Sequence, residues 1–138
     1  MFLLDTNVVS ELRRPDKADR NVVAWANAAP VANFFLSVIS ILEIELGARL
    51  IERRDAVQGA VLRAWIGDQV LTRFEGRILA IDTAVAQRCA QLHVPNPRAE
   101  RDALIAATAL VHGLTVVTRN VGDFEPTGVP LLNPWRAT

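Results

Sequence analysis

The 138-residue sequence has no tyrosine, one cysteine and one methionine, and only 6% of its residues are aromatic. The single cysteine, Cys89, excludes an internal disulfide. Zinc would need more thiols or histidines than Cys89, His93 and His112 supply. Cys89 lies in TAVAQRCAQL at helical spacing and reads as a small buried residue. No apolar run approaches the ~18 residues that span a bilayer, and the start lacks the basic region and cleavage site of a signal peptide. The chain therefore reads as cytoplasmic, without a membrane partner. Net charge is missing too: 15 Lys+Arg balance 15 Asp+Glu. A nucleic-acid partner would need a local basic patch, because global charge argues for none. Lysine is nearly absent, Lys17 being the only one, so the basic side chains are almost all arginine.

What is present is apolar: 51% of the residues are hydrophobic. At this length the chain reads as a single domain, 1–138, able to bury a core without disulfides or structural metal. Short strands alternate with helices. Strands are expected at 1–4, 33–37, 78–81, 114–118 and 131–132. Helices are expected at 8–13, 21–28, 41–53, 56–74, 83–92 and 101–112. Val57, Ala60, Val61, Ala64, Trp65 and Leu71 share one apolar face. Trp25 and Trp65 lie on apolar helical faces and read as packing residues. Gly113 suits a left-handed helix C-terminus. Such alternation implies an α/β fold with a parallel sheet covered on both faces. Ligands of such sheets bind beyond the carboxyl ends of the strands.

Four acids fall at that edge. Asp5 ends the first strand. Glu43 follows the second, in the first turn of its helix. Asp102 is in the first turn of DALIAATALVHG. Asp123 lies in the loop TRNVGDF after LTVVT. Each has an ordinary reading: Asp5 as a cap, Ser40-x-x-Glu43 as a capping box, Asp102 as dipole partner, Asp123 as turn residue. Thr6 or Asn7 could cap the first helix and leave Asp5 free. Spacing turns Asp102 towards Ile105, Ala106 and Ala109, and Glu43 towards Leu46, Gly47 and Leu50, the buried sides. Two carboxylates ~5 Å apart repel by roughly 3 kcal/mol at an effective dielectric of 20. Arg101 and Arg119 could each relieve only part of that. A divalent cation would relieve most, and oxygen ligands without His or Cys favour Mg²⁺ or Mn²⁺. Four acids do not decide between one ion and two.

At these residues the chain resembles the PIN-domain ribonucleases, in particular the VapC-type toxins and their FitB-like branch. The resembling stretches are LLDTNVVSEL, LSVISILEIELG, GRILAID, DALIAATALVHGLTVVTRNVGDF and LLNPW, in family order along nearly the whole chain. The resemblance implies a three-layer α/β/α sandwich with a mostly parallel central sheet and Mg²⁺-dependent endoribonuclease activity. It also implies a homodimer, or a larger assembly, held by a cognate antitoxin. It carries the acidic site onto Asp5, Glu43, Asp102 and Asp123, with polar supports at Thr6, Asn7, Ser40, Thr118 and Asn120. The approach to the third acid, Leu92 to Arg101, is shorter than usual in the family.

Water is then the nucleophile. Asp5 is the first choice of metal ligand, Asp102 and Asp123 the next, and Glu43 a holder of water or a general base. Thr118 and Asn120 either orient these groups or cap the turn after the strand. Candidates for contact with RNA are Arg13, Arg14, Arg49, Arg53, Arg98, Arg101 and Arg119, and Trp135 could stack a base. Histidine chemistry is not expected: His112 precedes Gly113 at a helix end, and His93 opens a proline-bounded loop without an obvious partner. A receiver domain would need a lysine at a later strand end. A haloacid-dehalogenase-type phosphatase would need Asp where Asn7 stands. A DNA-directed nuclease and a PIN-like binding module without catalysis remain as alternatives.

Overall fold

The computed structural model describes residues 1–136. Phe2–Leu4 forms β1, and its side chains alternate between the faces of the sheet: Leu3 joins one buried cluster and Leu4 the other. The remaining strands are β2 (Phe34–Ser37), β3 (Ile78–Leu79), β4 (Thr115–Val117) and β5 (Leu131–Leu132). All pair in parallel, in the order β3-β2-β1-β4-β5, with Leu4 opposite Val117. Strand order grows outward from β1 in one direction to β3, then restarts on its other side with β4. The crevice at such a reversal, at the carboxyl ends of β1 and β4, is where an open parallel sheet binds its ligand.

Helices cover both faces, as expected. On one side lie α1 (Thr6–Glu11), α2 (Arg20–Asn27), α3 (Val38–Arg54) and α4 (Ala56–Trp65), followed by a π-helical turn at Ile66–Leu71. Val8, Val9, Ile44, Ala48, Ile66 and Val70 pack there on Leu4, Phe34, Leu36 and Val117. Trp25 meets Phe2 edge-on at 5.3 Å and stacks on Phe34 at 5.1 Å, so it is a packing residue. On the other side lie α5 (Thr83–Leu92), α6 (Glu100–His112) and the short α7 (Val121–Phe124). Cys89 is buried in that layer, and Gly113 ends α6 at φ 68°.

Several expectations are corrected. The helix expected over 56–74 is interrupted by the π-helical turn, and its apolar face is largely exposed: Val57 by 77% and Val61 by 49%. Leu46 and Leu50, expected on the buried side of α3, are 39% and 57% exposed. Periodicity identifies an apolar face but not whether the chain's own elements cover it. Helix α3 begins at Val38, capped by the Ser37 hydroxyl, which accepts the Ile39 N–H at 3.0 Å. The Ser40–Glu43 capping box therefore does not form, and Glu43 lies in the second turn. Asp123 lies within α7 rather than in a loop.

The α3–α4 pairing depends on one glycine. A Cβ at Gly59 would lie 2.5 Å from Glu52 Cβ and 2.6 Å from Glu52 Cα, part of it immovable backbone. Gly59→Ala would gain about 1 kcal/mol of helix propensity but force the two helices apart. The expected net result is a loss of about 2 kcal/mol, read as a lower urea midpoint. An unchanged or higher midpoint would contradict this packing.

Candidate active site

Asp5 is the hub. It directly follows β1, and its backbone N–H donates to Val117 O at 2.9 Å, tying it to the end of β4. It is buried, and each carboxylate oxygen has partners. Oδ1 accepts the Thr6 N–H at 2.8 Å; Oδ2 accepts the Thr118 hydroxyl at 2.8 Å and the Asn7 amide at 3.4 Å. Capping and site are thus one role: Asp5 caps α1 with Oδ1 and keeps Oδ2 among side chains. Thr6 and Asn7 do not take the cap. The Thr6 hydroxyl reaches 37 residues ahead to Glu43 Oε1 at 2.6 Å, and the Asn7 amide bonds Asp5 and Thr118. Thr118 is buried, and its oxygen also accepts the Asn120 N–H at 3.0 Å, so it orients Asp5 and caps the turn at once.

The other acids gather around this hub. Burial pushes the Asp5 carboxyl up from 3.8 to about 6, against the pull of the Thr118 and Thr6 hydrogen bonds; the charges of Asp102 and Glu43 push the same way. Asp102, half-buried above Ile105 and Ala106, is raised first by burial and then by the charges of Asp123 and Glu43. Asp123 is exposed and reaches the group through Asp102. The four acids do not close into a tight cage: among the described residues, no three of them bring an oxygen each within 4.8 Å of one another. The donors still fit a hard divalent cation, being carboxylate and hydroxyl oxygens without thiolate or imidazole. Ser40 Oγ, one helical turn before Glu43, is buried with no hydrogen-bond partner and adds an unsatisfied oxygen.

The expected arginines separate into groups. Arg101 Nη1 lies 3.9 Å from Glu43 Oε2, at the rim of the site. Arg119 follows Thr118 directly and is exposed. Arg98 spends its donors internally, on Leu92 O at 2.7 Å and Pro126 O at 3.3 Å. Arg53 stands ten residues beyond Glu43 on α3, roughly 15 Å along the axis. Arg49 is on the same distal half, 3.8 Å from Glu52. Arg13 and Arg14 lie past the far end of α1, around a shallow hollow they share with Lys17. The fold does not bring these last four to the acids. Reading the sequence assigned no role to Asn133, whose amide bonds Arg119 O at 3.5 Å. Its position directly after β5, at the same sheet edge, was the available signal.

A second group, Cys89, His93 and Glu100, has ligand atoms within 4.8 Å of one another. His93, expected without a partner, has one on one ring nitrogen, while Nε2 is buried without a hydrogen bond. Its Nδ1 accepts the Arg98 N–H at 3.1 Å, which puts the proton of a neutral ring on Nε2, 3.3 Å from Glu100. A metal on Nε2 would require that proton to move to Nδ1 and break the Arg98 bond. The Arg98–His93 hydrogen bond ties down the loop before α6. The Cys89 thiol is pushed up by burial and then by the Glu100 charge, away from a metal-ready thiolate.

A parallel sheet of this order with carboxylates at its reversal point defines a class, and residues 2–125 match the PIN domain. The chain belongs to the PIN-domain family, in its FitB- and VapC-like branch. It is similar to Toxin FitB of Neisseria gonorrhoeae: 39% identical, over 98% of this chain and 99% of that protein. The crystal structure of FitAcB from the same organism superposes with a TM-score of 0.90 at 38% identity, over 99% of this chain and 100% of that one. The VapC ribonuclease Y4jK of Sinorhizobium fredii is 34% identical, over 98% of each chain. A toxin–antitoxin complex from Klebsiella pneumoniae superposes with a TM-score of 0.71 at 28% identity, over 99% of this chain and 100% of that one. The expected α/β/α architecture is thereby borne out.

Proposed function

We propose that the chain is a divalent-metal-dependent endoribonuclease and the toxin of a toxin–antitoxin pair. The observation that carries this reading is the desolvated Asp5 at the reversal point of the sheet, with Glu43 and Asp102 close enough to raise its pKa. Its relatives support the chemistry, one being named a toxin and another a VapC ribonuclease. Asp5, Asp102 and Asp123 would hold Mg²⁺ or Mn²⁺, as one ion or two, with Glu43 holding it directly or through water. When bound, the cation would acidify water and offset charge on phosphoryl oxygens. The chain's own groups do the positioning. Thr118 and Asn7 fix Asp5 Oδ2. Thr6 fixes Glu43 Oε1, and Oε2, 3.9 Å from Arg101, is the oxygen that would take a proton from water. Arg101 offsets the charge of Glu43 from outside.

The partners follow from the same reading. Leu42, Leu46 and Leu50 of α3 and Val57 and Val61 of α4 leave apolar surface exposed. Such surface supports a covering protein chain, either the antitoxin or a second copy in a homodimer. No helix among the described residues is long and apolar enough to cross a membrane.

The test is to incubate the purified chain with RNA in Mg²⁺ and in excess chelator. Cleavage is expected only with the ion, leaving 5′-phosphate and 3′-hydroxyl ends. Ends carrying 2′,3′-cyclic phosphate, or undiminished cleavage in chelator, would overturn the mechanism.

A further inference from the structure

A site lined with carboxylates repels the phosphates it is meant to cut, so a nuclease needs a cation of its own beside them. Of the arginines at this edge, Arg101 faces Glu43 and Arg98 is tied to backbone carbonyls. Arg119 differs. Thr118, the residue before it, bonds Asp5, and Asp123 follows four residues on, yet Arg119 forms no ion pair among the described residues. Its guanidinium instead lies over the Trp135 ring, 5.3 Å from the centroid. Its backbone is fixed from both sides: the N–H bonds Asn7 Oδ1 at 3.4 Å, and the carbonyl accepts the Asn133 amide at 3.5 Å. Trp135 is fixed as well, through its N–H to Asn133 Oδ1 at 3.0 Å and its carbonyl to Asn21 Nδ2 at 2.9 Å. Trp135 is partly buried and packs against the buried cluster of Leu4, Phe34 and Val117.

A guanidinium held over a ring by cation–π attraction keeps its N–H edge for other acceptors. That edge is the part that matches two phosphate oxygens. An arginine held over an aromatic ring also loses less rotamer entropy on binding than a free one. The geometry points to Arg119 as the phosphate clamp of this site, gripping a phosphodiester of the RNA strand next to the one being cut, with Trp135 as the positioning residue that aims it. The inference rests on the nuclease reading for its substrate but not on turnover.

The test is therefore one of binding. Asp5→Asn protein is titrated against a fluorescent single-stranded RNA oligonucleotide in chelator, across a range of salt. Arg119→Ala is expected to weaken binding about tenfold and to flatten the dependence of log Kd on log salt by about 0.7, the loss of one phosphate contact on a single strand. Arg119→Lys keeps the slope but recovers only part of the affinity, because an ammonium lacks the planar fork. Trp135→Leu, which retains apolar bulk, is expected to weaken binding severalfold when Arg119 is present and not at all when residue 119 is alanine. Thermal melts of each variant check folding independently. An unchanged Kd and salt slope in Arg119→Ala would overturn the clamp. So would an equal effect of Trp135→Leu in both backgrounds, which is the mark of a purely structural tryptophan. Absence of measurable RNA binding by the Arg119-intact protein would overturn it too. Arg119-dependent binding by a wild-type chain that never cleaves RNA would instead sustain the clamp and sink the ribonuclease reading.

Discussion

Asp5→Asn is expected to abolish RNA cleavage and, in the same protein, to raise stability at pH 7 in metal-free buffer. The two effects share one cause. The folded protein holds the Asp5 carboxyl near 6 rather than 3.8, chiefly because burial penalises its charge. The folded state therefore binds more protons than the unfolded state between these values. By linkage, this group costs no stability below about pH 3.8, destabilises progressively as pH rises to about 6, and carries its full penalty above that. Holding the carboxyl at about 6 corresponds to about 3 kcal/mol. Asparagine removes the charge while keeping the Oδ1 acceptor for the Thr6 N–H. It also sets an amide against the Thr118 hydroxyl and the Asn7 amide, which both donate to Oδ2 in the wild type, so part of this is lost and the expected net gain is about 1–2 kcal/mol. For a chain of this size that is a rise of roughly 3–6 °C in Tm. The gain should fade as pH is lowered towards 4. Cleavage should fall by about a thousandfold or more, the scale of losing a charge-stabilising group from an active site. Denaturation curves in chelator at pH 4.5 and 7, beside a cleavage assay, read both. A variant less stable than wild type at pH 7, or one that still cuts RNA at the wild-type rate, would contradict this account of Asp5.

Divalent metal is expected to reverse that order. Mg²⁺ or Mn²⁺ bound only by the folded protein should stabilise the wild type by about 2.7 kcal/mol at a hundredfold excess over its Kd. Asp5→Asn should lose most of this response and Asp102→Asn a large part of it. The response should weaken below about pH 6, because protons compete for the Asp5 carboxylate that the ion needs. Monovalent salt at matched ionic strength is the control, since it screens the repulsion among the acids without bridging them. Melting curves that respond equally to Mg²⁺ and to matched NaCl would remove the cation from the site. A charge that destabilises the empty protein and stabilises the loaded one is the expected signature of a residue kept for function.

Much of the fold could be read from local patterns. The apolar runs Phe2–Leu4, Phe34–Ser37 and Thr115–Val117 became strands within a residue or so of the expected bounds. Asp82 caps α5 through the Val85 N–H, and Gly113 ends α6, as their residue types dictate. The reading failed where two local signals competed. Ser37 and Ser40 both precede the apolar run of α3. The cap went to Ser37 because β2 ends there, which left Ser40 buried inside the helix with an unpartnered hydroxyl. The apolar stripe of α4 was legible as a stripe and illegible as a surface, because burial depends on what packs against it.

By itself, the sequence determined that a carboxylate would stand at the end of β1: Leu4 and Asp5 are neighbours in the chain, so one local signal places both. Only the tertiary structure decided what each carboxylate touches. Thr118 bonds Asp5 across 113 residues, Thr6 bonds Glu43 across 37, and Arg119 lies on Trp135 rather than on an acid. Those contacts follow from the register that sets Leu4 opposite Val117 and Val117 opposite Leu132. One residue of slip would move each strand end by about 3.3 Å and turn its side chains to the other face. Register is fixed by the packing of both layers at once, and no single segment of the sequence contains it.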